Sequence, residues 1–571
     1  MDPLEPFLAE VRSAAKAAFA QMGADVPFEI EVPSTGIADF AVPCFPLAKA
    51  MRKAPPLIAE EAVAKLPKGE LIAKAWAEKG YLNFKLDDAK LNAATLDAIR
   101  GMKASYGRGD ASSVKVLLEH TSVNPTGPIH VGRARNPIIG DTLARCMRAY
   151  GFDVTTEYYV NDVGKQVVIL TWGLENIRPD DVPAIESDKA DHRLVVFYQK
   201  ANKMMEEDPE VEKQVGHMLR RFEDGDEEVI EKVRKTAKLM LDGIIGSLAS
   251  INVTIDQFTW ESTFIKDGSA RGVVEELKRS PVCGEDKGAC YLELKDYGIH
   301  GKETKFFFTR ADGTTLYTTR DMAYHLNKFR RADRLINILG EDQKLGQAQL
   351  AIALKLLGKD RAPECVFYSF VSLPEGRMST RKGTVVYLDD LIEEAEERAL
   401  EEVKKRRTDL SEERMREIAR DIGRGAVRYN IVRVQPEKAL VFKWEDALNF
   451  EGNSAPFVQY AHARACSILR KAGTFSPDID PTVLTNEYEL RLIRVLARYP
   501  TVIRDAAEKN KIQVLPAYGQ ELAAAFNQFY TYVPVLRGEE NRDARLTLVD
   551  VTRIVLANCL TTLGLSAPEE M

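Results

Sequence analysis

Residues 114–136 read VKVLLEHTSVNPTGPIHVGRARN, and this stretch decides the fold. Its opening, Val114 to Glu119, is apolar and β-branched, the pattern of a short buried strand. Pro125, Gly127 and Pro128 then break the run, and a helical pattern continues through Arg148. A second strand pattern, VTTEYYV, follows Gly151. Strands that alternate with helices predict a parallel α/β sheet. A chain leaving the carboxyl edge of such a strand through a Pro/Gly turn brings backbone close to a ligand, and the free N–H groups of the next helix face phosphate. His130 falls in that first helical turn, placed to donate a hydrogen bond to a phosphoryl oxygen, and Gly132 leaves space for a flat base or ribose. Taken alone, the same residues also describe a capped helix with an ordinary histidine.

A second stretch, GRMSTRKG at 376–383, lies on a loop after a later strand pattern. Arg377, Arg381 and Lys382 are cations on a glycine-flanked segment, suited to neutralising a phosphorus transition state. By itself it reads as a charged surface loop. Between the two stretches, a charged segment from about 185 to 250 has helical period and reads as an insertion with solvated faces. The sheet pattern is expected to resume with FFFTR (306–310), LINILG (335–340) and ECVFYSFVSL (364–373). After about residue 395 the pattern is helical almost throughout, which predicts a C-terminal bundle. The first segment, to about residue 110, begins helical and closes on a strand pattern, GYLNFKL (80–86). The expected domains are therefore a small N-terminal α/β domain (1–110), a parallel-sheet catalytic domain (111–395) with a helical insertion at about 180–300, and an all-α bundle (396–571).

The 571 residues exceed what one hydrophobic core usually supports. Hydrophobic residues at 45% and charged residues at 29% place the chain among soluble globular proteins. No run of about 18 apolar residues is present to cross a bilayer, and the first residues lack a signal peptide's pattern, so a cytoplasmic location is expected. The seven cysteines include no CxxC pair, which argues against a zinc ribbon or a disulfide framework; no protein-bound metal is expected. A net charge of -7 does not exclude a nucleic-acid partner, because phosphate contacts need a local basic stripe and not a basic average.

Taken together and in this order, the His130 and Arg377–Lys382 stretches resemble the paired "HIGH" and "KMSKS" signatures of class I aminoacyl-tRNA synthetases. The resemblance implies a Rossmann-type catalytic domain in which ATP, with Mg2+, condenses with an amino acid to an aminoacyl-adenylate. It assigns Thr126, Gly127, His130, Gly132, Arg133, Met378 and Ser379 to ATP, and His130, Arg133, Arg377, Ser379, Arg381 and Lys382 to catalysis by positioning and charge stabilisation. Arg133 stands where the signature has its second histidine and Arg377 where it has its first lysine; both keep or add positive charge.

Within that class the spacing of Glu119, Asn124 and His130, together with YTTRD at 317–321, resembles the arginyl-tRNA synthetases. A pocket for a planar cation calls for fixed carboxylates and amide oxygens. Tyr317 and Asp321 at i, i+4 share one face if the segment is helical. The resemblance implies that Asp321 pairs with the guanidinium, that Tyr317 packs beside it, and that Glu119, Asn124 and Gln349 hold the polar ends of L-arginine. Gly346 departs from the histidine usual in the family's DQKLH pattern. ADFAVPCFPLAKAMRK (38–53) and GYLNFKL resemble the family's N-terminal tRNA-elbow domain, and EGNSAPFVQYAHARACSILRK (451–471) its first anticodon-facing helix.

In that helix Phe457, Tyr460 and Arg464 fall on one face, combining stacking surfaces with a cation for unstacked bases, although a core helix shows the same spacing. The family's terminal residue, here Met571, joins the anticodon site. Lys404 to Arg407, Arg424 and Arg428 offer cations for the phosphate backbone or a solvated face. The expected partners are tRNA-Arg, L-arginine and ATP, with no membrane, and a monomer is the family's usual form. The rival readings are a catalytically silent tRNA-binding relative and a class I synthetase for another amino acid.

Overall fold

The computed structural model describes residues 2–33, 38–301, 303–374, 386–476, 478–537 and 541–571. Arg377, Met378, Ser379, Arg381 and Lys382 lie outside the described residues.

The N-terminal part pairs β1 (Phe40–Pro43), β2 (Ile72–Glu78) and β3 (Tyr81–Leu86) in the antiparallel order β1-β3-β2. Leu82, Phe84 and Leu86 alternate inward along β3, as period-2 burial requires. The helix Glu5–Gln21 covers them with Phe7, Val11, Ala15 and Ala18, spaced three and four apart. The helix Asp88–Met102, capped by Asp87, leads out of this domain.

The central sheet is parallel throughout, in the order β11-β10-β4-β5-β6: β4 is Lys115–Glu119, β5 Asp153–Val160, β6 Gln257–Trp260, β10 Arg334–Gly340 and β11 Glu364–Tyr368. Val116, Leu117 and Leu118 are buried in succession, as in a strand covered on both faces. Gly140, in the covering helix Arg135–Tyr150, lets that helix close on β4, since a Cβ there would lie 2.4 Å from His120. The chain runs from β4 outward to β5 and β6, then returns on the other side of β4 to β10 and β11. The crevice beyond the carboxyl ends of β4 and β10 is therefore a topological switch point, where open α/β sheets bind ligands.

Two expectations change. FFFTR does not rejoin this sheet: β9 (Lys305–Phe307) pairs with the hairpin β7 (Cys283–Asp286) and β8 (Ala289–Glu293) in a separate antiparallel sheet. An apolar run announces a strand but not which sheet receives it. Conversely, Gln257–Trp260 inside the expected helical insertion is the fifth strand of the main sheet. The insertion's helices are Ala190–Glu207, Pro209–Glu223 and Glu227–Ser250.

A short parallel pair, β12 (Val371–Ser372) with β13 (Leu440–Val441), ties the end of the catalytic chain to the bundle. The helix Leu388–Arg406 runs across the expected boundary at 395. The bundle continues through Glu412–Val432, Ala455–Ala472, Glu487–Ala497, Tyr499–Lys509, Val514–Tyr532 and Arg542–Thr562. One hydrophobic core runs without a break from Val116 and Ile138 to Val427, Leu515 and Leu556. At its centre Arg428, fully buried, donates to Asp141 at 2.6 Å and to the carbonyl of Ile251 at 2.7 Å. Arg428 therefore cannot track a phosphate backbone: it pins bundle, catalytic helix and insertion together, and the sequence alone gave no sign that this cation lay inside.

Candidate active site and a cavity in the bundle

The turn after β4 is built on strained backbone. Thr121 and Ser122 take positive φ of 74° and 43° in succession, a conformation that costs non-glycine residues of order 1–3 kcal/mol each. Asn136 accepts from the Thr121 N–H at 2.6 Å, and Ser122 donates to Glu119 at 3.2 Å while accepting from the Tyr159 N–H at 3.1 Å. This strain shapes the path to Asn124, Thr126 and Gly127. Asn124 is exposed and donates to Gln166 at 2.9 Å.

His130 caps a 3-10 turn, Val131–Arg133, with Nδ1 accepting from the Gly132 N–H at 3.0 Å. Partial burial, followed by the charge of Arg133, lowers its pKa, so the ring is neutral near pH 7. A neutral ring that accepts at Nδ1 carries its proton on Nε2, which leaves a donor directed away from the turn. Arg133 is exposed, with its guanidinium 5.6 Å from the Phe370 ring centre. The turn continues into the helix Arg135–Tyr150, whose first residue is locked by bonds from the buried Arg135 to the carbonyls of Ser369 (2.9 Å), Lys438 (2.6 Å) and Gln435 (2.7 Å).

Both described flanks of the second signature meet this turn. On one side the Val371 carbonyl faces Gly132, 3.6 Å from where a Cβ would stand. On the other, His130 and Tyr387 form an antiparallel bridge: Val131 donates to the Val386 carbonyl at 2.9 Å, and Leu388 to that of Ile129 at 2.8 Å.

The expected arginine-binding residues separate into two groups. Glu119, at the carboxyl end of β4, stands opposite Asn337 of β10. The buried Lys328 donates to the Glu119 carboxylate and to Asn337 at 3.0 Å, and lies 4.1 Å from the Tyr324 ring centre. Asn337 contacts His325 Nε2 at 2.9 Å, and His325 Nδ1 lies 3.1 Å from Asp321. Glu119 and Asp321 are thus joined through Lys328, Asn337 and His325. Burial raises the Asp321 carboxyl, but His325 and then Lys328 outweigh it and hold the group below the ordinary carboxylate range.

Tyr317 opens the helix Tyr317–Arg331 one turn before Asp321 and is 69% exposed, leaving its ring free to contact a ligand. Gln349 is directed elsewhere, donating to the Glu303 carbonyl at 2.9 Å. Gln347 is the amide that reaches this network, 3.5 Å from Asn337. Two residues along a helix are about 200° apart around its axis, so the two glutamines cannot share a face. Lys328, His325, Asn337 and Gln347 were missed from the sequence; the spacing Asp321, His325, Lys328 down one helical face was the available signal.

Among the described residues, Asp191, His192 and Asp389 have ligand atoms within 4.8 Å of one another. The Lys189 ammonium lies 2.6 Å from Asp389 and 3.9 Å from Asp191, so a cation already serves this cluster.

At the far end of the bundle, Phe457, Tyr460, Arg464 and Met571 all line one cavity of about 1000 Å3. Three guanidinium groups lie over aromatic rings around it: Arg464 over Tyr460 at 4.8 Å, Arg406 over Phe450 at 4.4 Å and Arg398 over Trp444 at 5.1 Å. Arg464 is held by Asn527 at 2.8 Å. Arg407 grips the terminus, donating to the Met571 carbonyl at 2.9 Å and Glu570 at 2.7 Å, while Met571 packs against the cluster of Ala399, Val403 and Ile418. His462 is buried and bonds the Pro568 carbonyl at 2.9 Å. Arg424 is paired with Glu396 at 2.6 Å.

A parallel sheet with a histidine-bearing helix start at its switch point, followed by an all-α bundle with a cationic and aromatic cavity, defines the architecture of a class I aminoacyl-tRNA synthetase. Residues 96–444 match the family described as tRNA synthetases class I (R), catalytic domain; residues 458–571 match the DALR anticodon binding domain, and residues 7–86 the arginyl tRNA synthetase N terminal domain. An arginine–tRNA ligase of Methanocella arvoryzae is 47% identical, covering 92% of each chain. One of Methanothermobacter thermautotrophicus is 41% identical over 98% of this chain and 99% of its own. The arginyl-tRNA synthetase of Thermus thermophilus superposes with a TM-score of 0.84 at 29% identity, covering 99% of this chain and 100% of that one. The chain belongs to the arginyl-tRNA synthetase family, enzymes that charge tRNA with arginine. Among the described residues no helix is long and apolar enough to cross a membrane.

Proposed function

We propose that this chain ligates L-arginine to tRNA-Arg through an arginyl-adenylate, acting as a cytoplasmic monomer with ATP and Mg2+. The observation that carries the reading is the pairing of His130 with Tyr387, which tethers the second signature's root to the histidine turn at the switch point. Thr126, Gly127, Gly132, Arg133, Met378 and Ser379 line the ATP, and Arg377, Arg381 and Lys382 neutralise its phosphates. The arginine carboxylate attacks the α-phosphorus; an O–P bond forms, the bond to the β-phosphate oxygen breaks, and pyrophosphate leaves. No protein nucleophile is needed, so the residues act by positioning and by charge. His130 donates from Nε2 to a phosphoryl oxygen as charge builds.

The guanidinium lies against Asp321 with Tyr317 beside it, and Glu119 and Asn124 hold the polar groups; Gln349 contributes by fixing the loop at Glu303. A terminal hydroxyl of the tRNA then attacks the activated carbonyl and AMP leaves. The anticodon enters the cavity of Phe457, Tyr460, Arg464 and Met571, where bases stack on rings paired with guanidinium groups. ATP–pyrophosphate exchange with each amino acid in turn, tRNA present, tests the assignment. Exchange with arginine is expected; exchange with another amino acid, or tRNA binding without charging, overturns it.

A further inference from the structure

The insertion meets the helix Leu388–Arg406 at Asp389. Asp389, in that helix's first turn, gathers three donors on a single carboxylate oxygen: Lys189 at 2.6 Å, His192 at 2.7 Å and Ser247 at 3.0 Å. Lys189 and His192 begin the insertion helix Ala190–Glu207, and Ser247 ends the helix Glu227–Ser250. Behind them Asp191 is wholly buried against Gly243, where any Cβ would stand 2.1 Å from its carboxylate. Two insertion helices are thereby bound to one side chain of the helix that follows the second signature.

That side chain sits two residues from Tyr387, the residue bridged to His130. The His192 ring also packs edge-on against Tyr387, with centroids 5.4 Å apart at 79°. Asp390 completes the arrangement by accepting from the Tyr387 N–H at 2.9 Å. His130 itself is exposed, and what locates its backbone on this side is the two-bond ladder to Val386 and Leu388.

We propose that Asp389, clamped by Lys189 and His192, is a positioning residue for His130 in the adenylation step, so that the helical insertion takes part in the chemistry without touching a substrate. This rests on the reading of His130 as a phosphoryl donor. The arginine network hangs on different elements, β4, β10 and the helix Tyr317–Arg331, so the clamp acts on turnover and leaves arginine affinity alone.

The test measures tRNA-dependent ATP–pyrophosphate exchange for the full chain carrying Asp389→Ala, Lys189→Met, His130→Ala, and His130→Ala combined with each. The single clamp variants should lose about ten-fold or more in kcat, the scale on which displaced catalytic groups act, with the KM for arginine unchanged. In the His130→Ala background the clamp substitutions should have no further effect, because coupled positions are not additive. A fold-wide disturbance would instead lower kcat by the same factor in both backgrounds, which overturns the proposal, as does unchanged kcat in the single variants. If His130→Ala itself retains full turnover, the reading of His130 falls together with the clamp, an outcome distinct from additivity. Should Asp389→Ala fail to fold, Asp389→Asn, which keeps the size and the Ser247 bond, takes its place in the same cycle.

Discussion

Lys328 ion-pairs with Glu119 across the switch point between β10 and β4, in a position with no solvent exposure of the lysine side chain. Breaking a buried pair by removing one partner leaves an uncompensated charge and costs about 3–5 kcal/mol. Lys328→Met should therefore destabilise the chain by that order in urea denaturation and raise the KM for arginine in pyrophosphate exchange. A fully stable variant with unchanged KM would show that Glu119 does not depend on the pair.

Asp321→Ala should abolish arginine activation. In the proposed pocket the substrate guanidinium would lose the carboxylate that it covers on binding, a loss on the order of 3–5 kcal/mol once the pair is buried. Near-normal arginine use by this variant in the exchange assay removes the pocket assignment, whereas His325→Ala should produce a smaller loss, since His325 only supports Asp321 from 3.1 Å.

Tyr460→Ala should weaken charging of tRNA through the KM for tRNA by about 1–3 kcal/mol, the worth of one stacked base, without altering the KM for arginine. Arg464→Ala should act in the same direction, because its guanidinium lies over that ring. Aminoacylation kinetics with full-length tRNA-Arg decide the point; equal effects on both KM values would place the cavity outside tRNA recognition.

His120 is buried beneath the strained turn, and burial pushes its pKa down to about 4 from 6.5. The unfolded chain therefore takes up a proton below pH 6.5 that the folded chain refuses, so this residue's contribution falls as pH drops from 6.5 towards 4 and is level above 6.5. Across that window the loss approaches about 3 kcal/mol. Melting temperatures of the parent and a His120→Gln variant, followed from pH 7 to pH 4.5, should converge as the pH falls; a constant gap would contradict the buried neutral ring.

The sheet was legible wherever apolar β-branched runs stood next to turn residues, as at Val114–Glu119 and Leu335–Gly340. It was not legible at Gln257–Trp260, whose QFTW is half-buried at the sheet edge and carries no long apolar run. The cavity residues Phe457, Tyr460, Arg464 and Met571 came together as their spacing and family resemblance implied, because helix periodicity survives packing. The Lys328, His325 and Asn337 network was hidden, since a buried cation and its carboxylate are distant in sequence and meet only through strand register. Gln349 donates to the Glu303 carbonyl, and two amides spaced i, i+2 on one helix carry no signal of which faces a ligand until the helix is packed in place.

The buried Arg428 also bears on how the chain can be divided. With one guanidinium serving Asp141, Ile251 and Leu563 at once, the catalytic half and the RNA-reading half have no separable interiors. A cut anywhere near residue 395 would open the shared interior of each fragment to water, and neither piece should persist as a soluble module. The same residues that fill the core beneath the sheet also fill the core of the bundle, so a substitution in that shared interior bears on both ends of the chain.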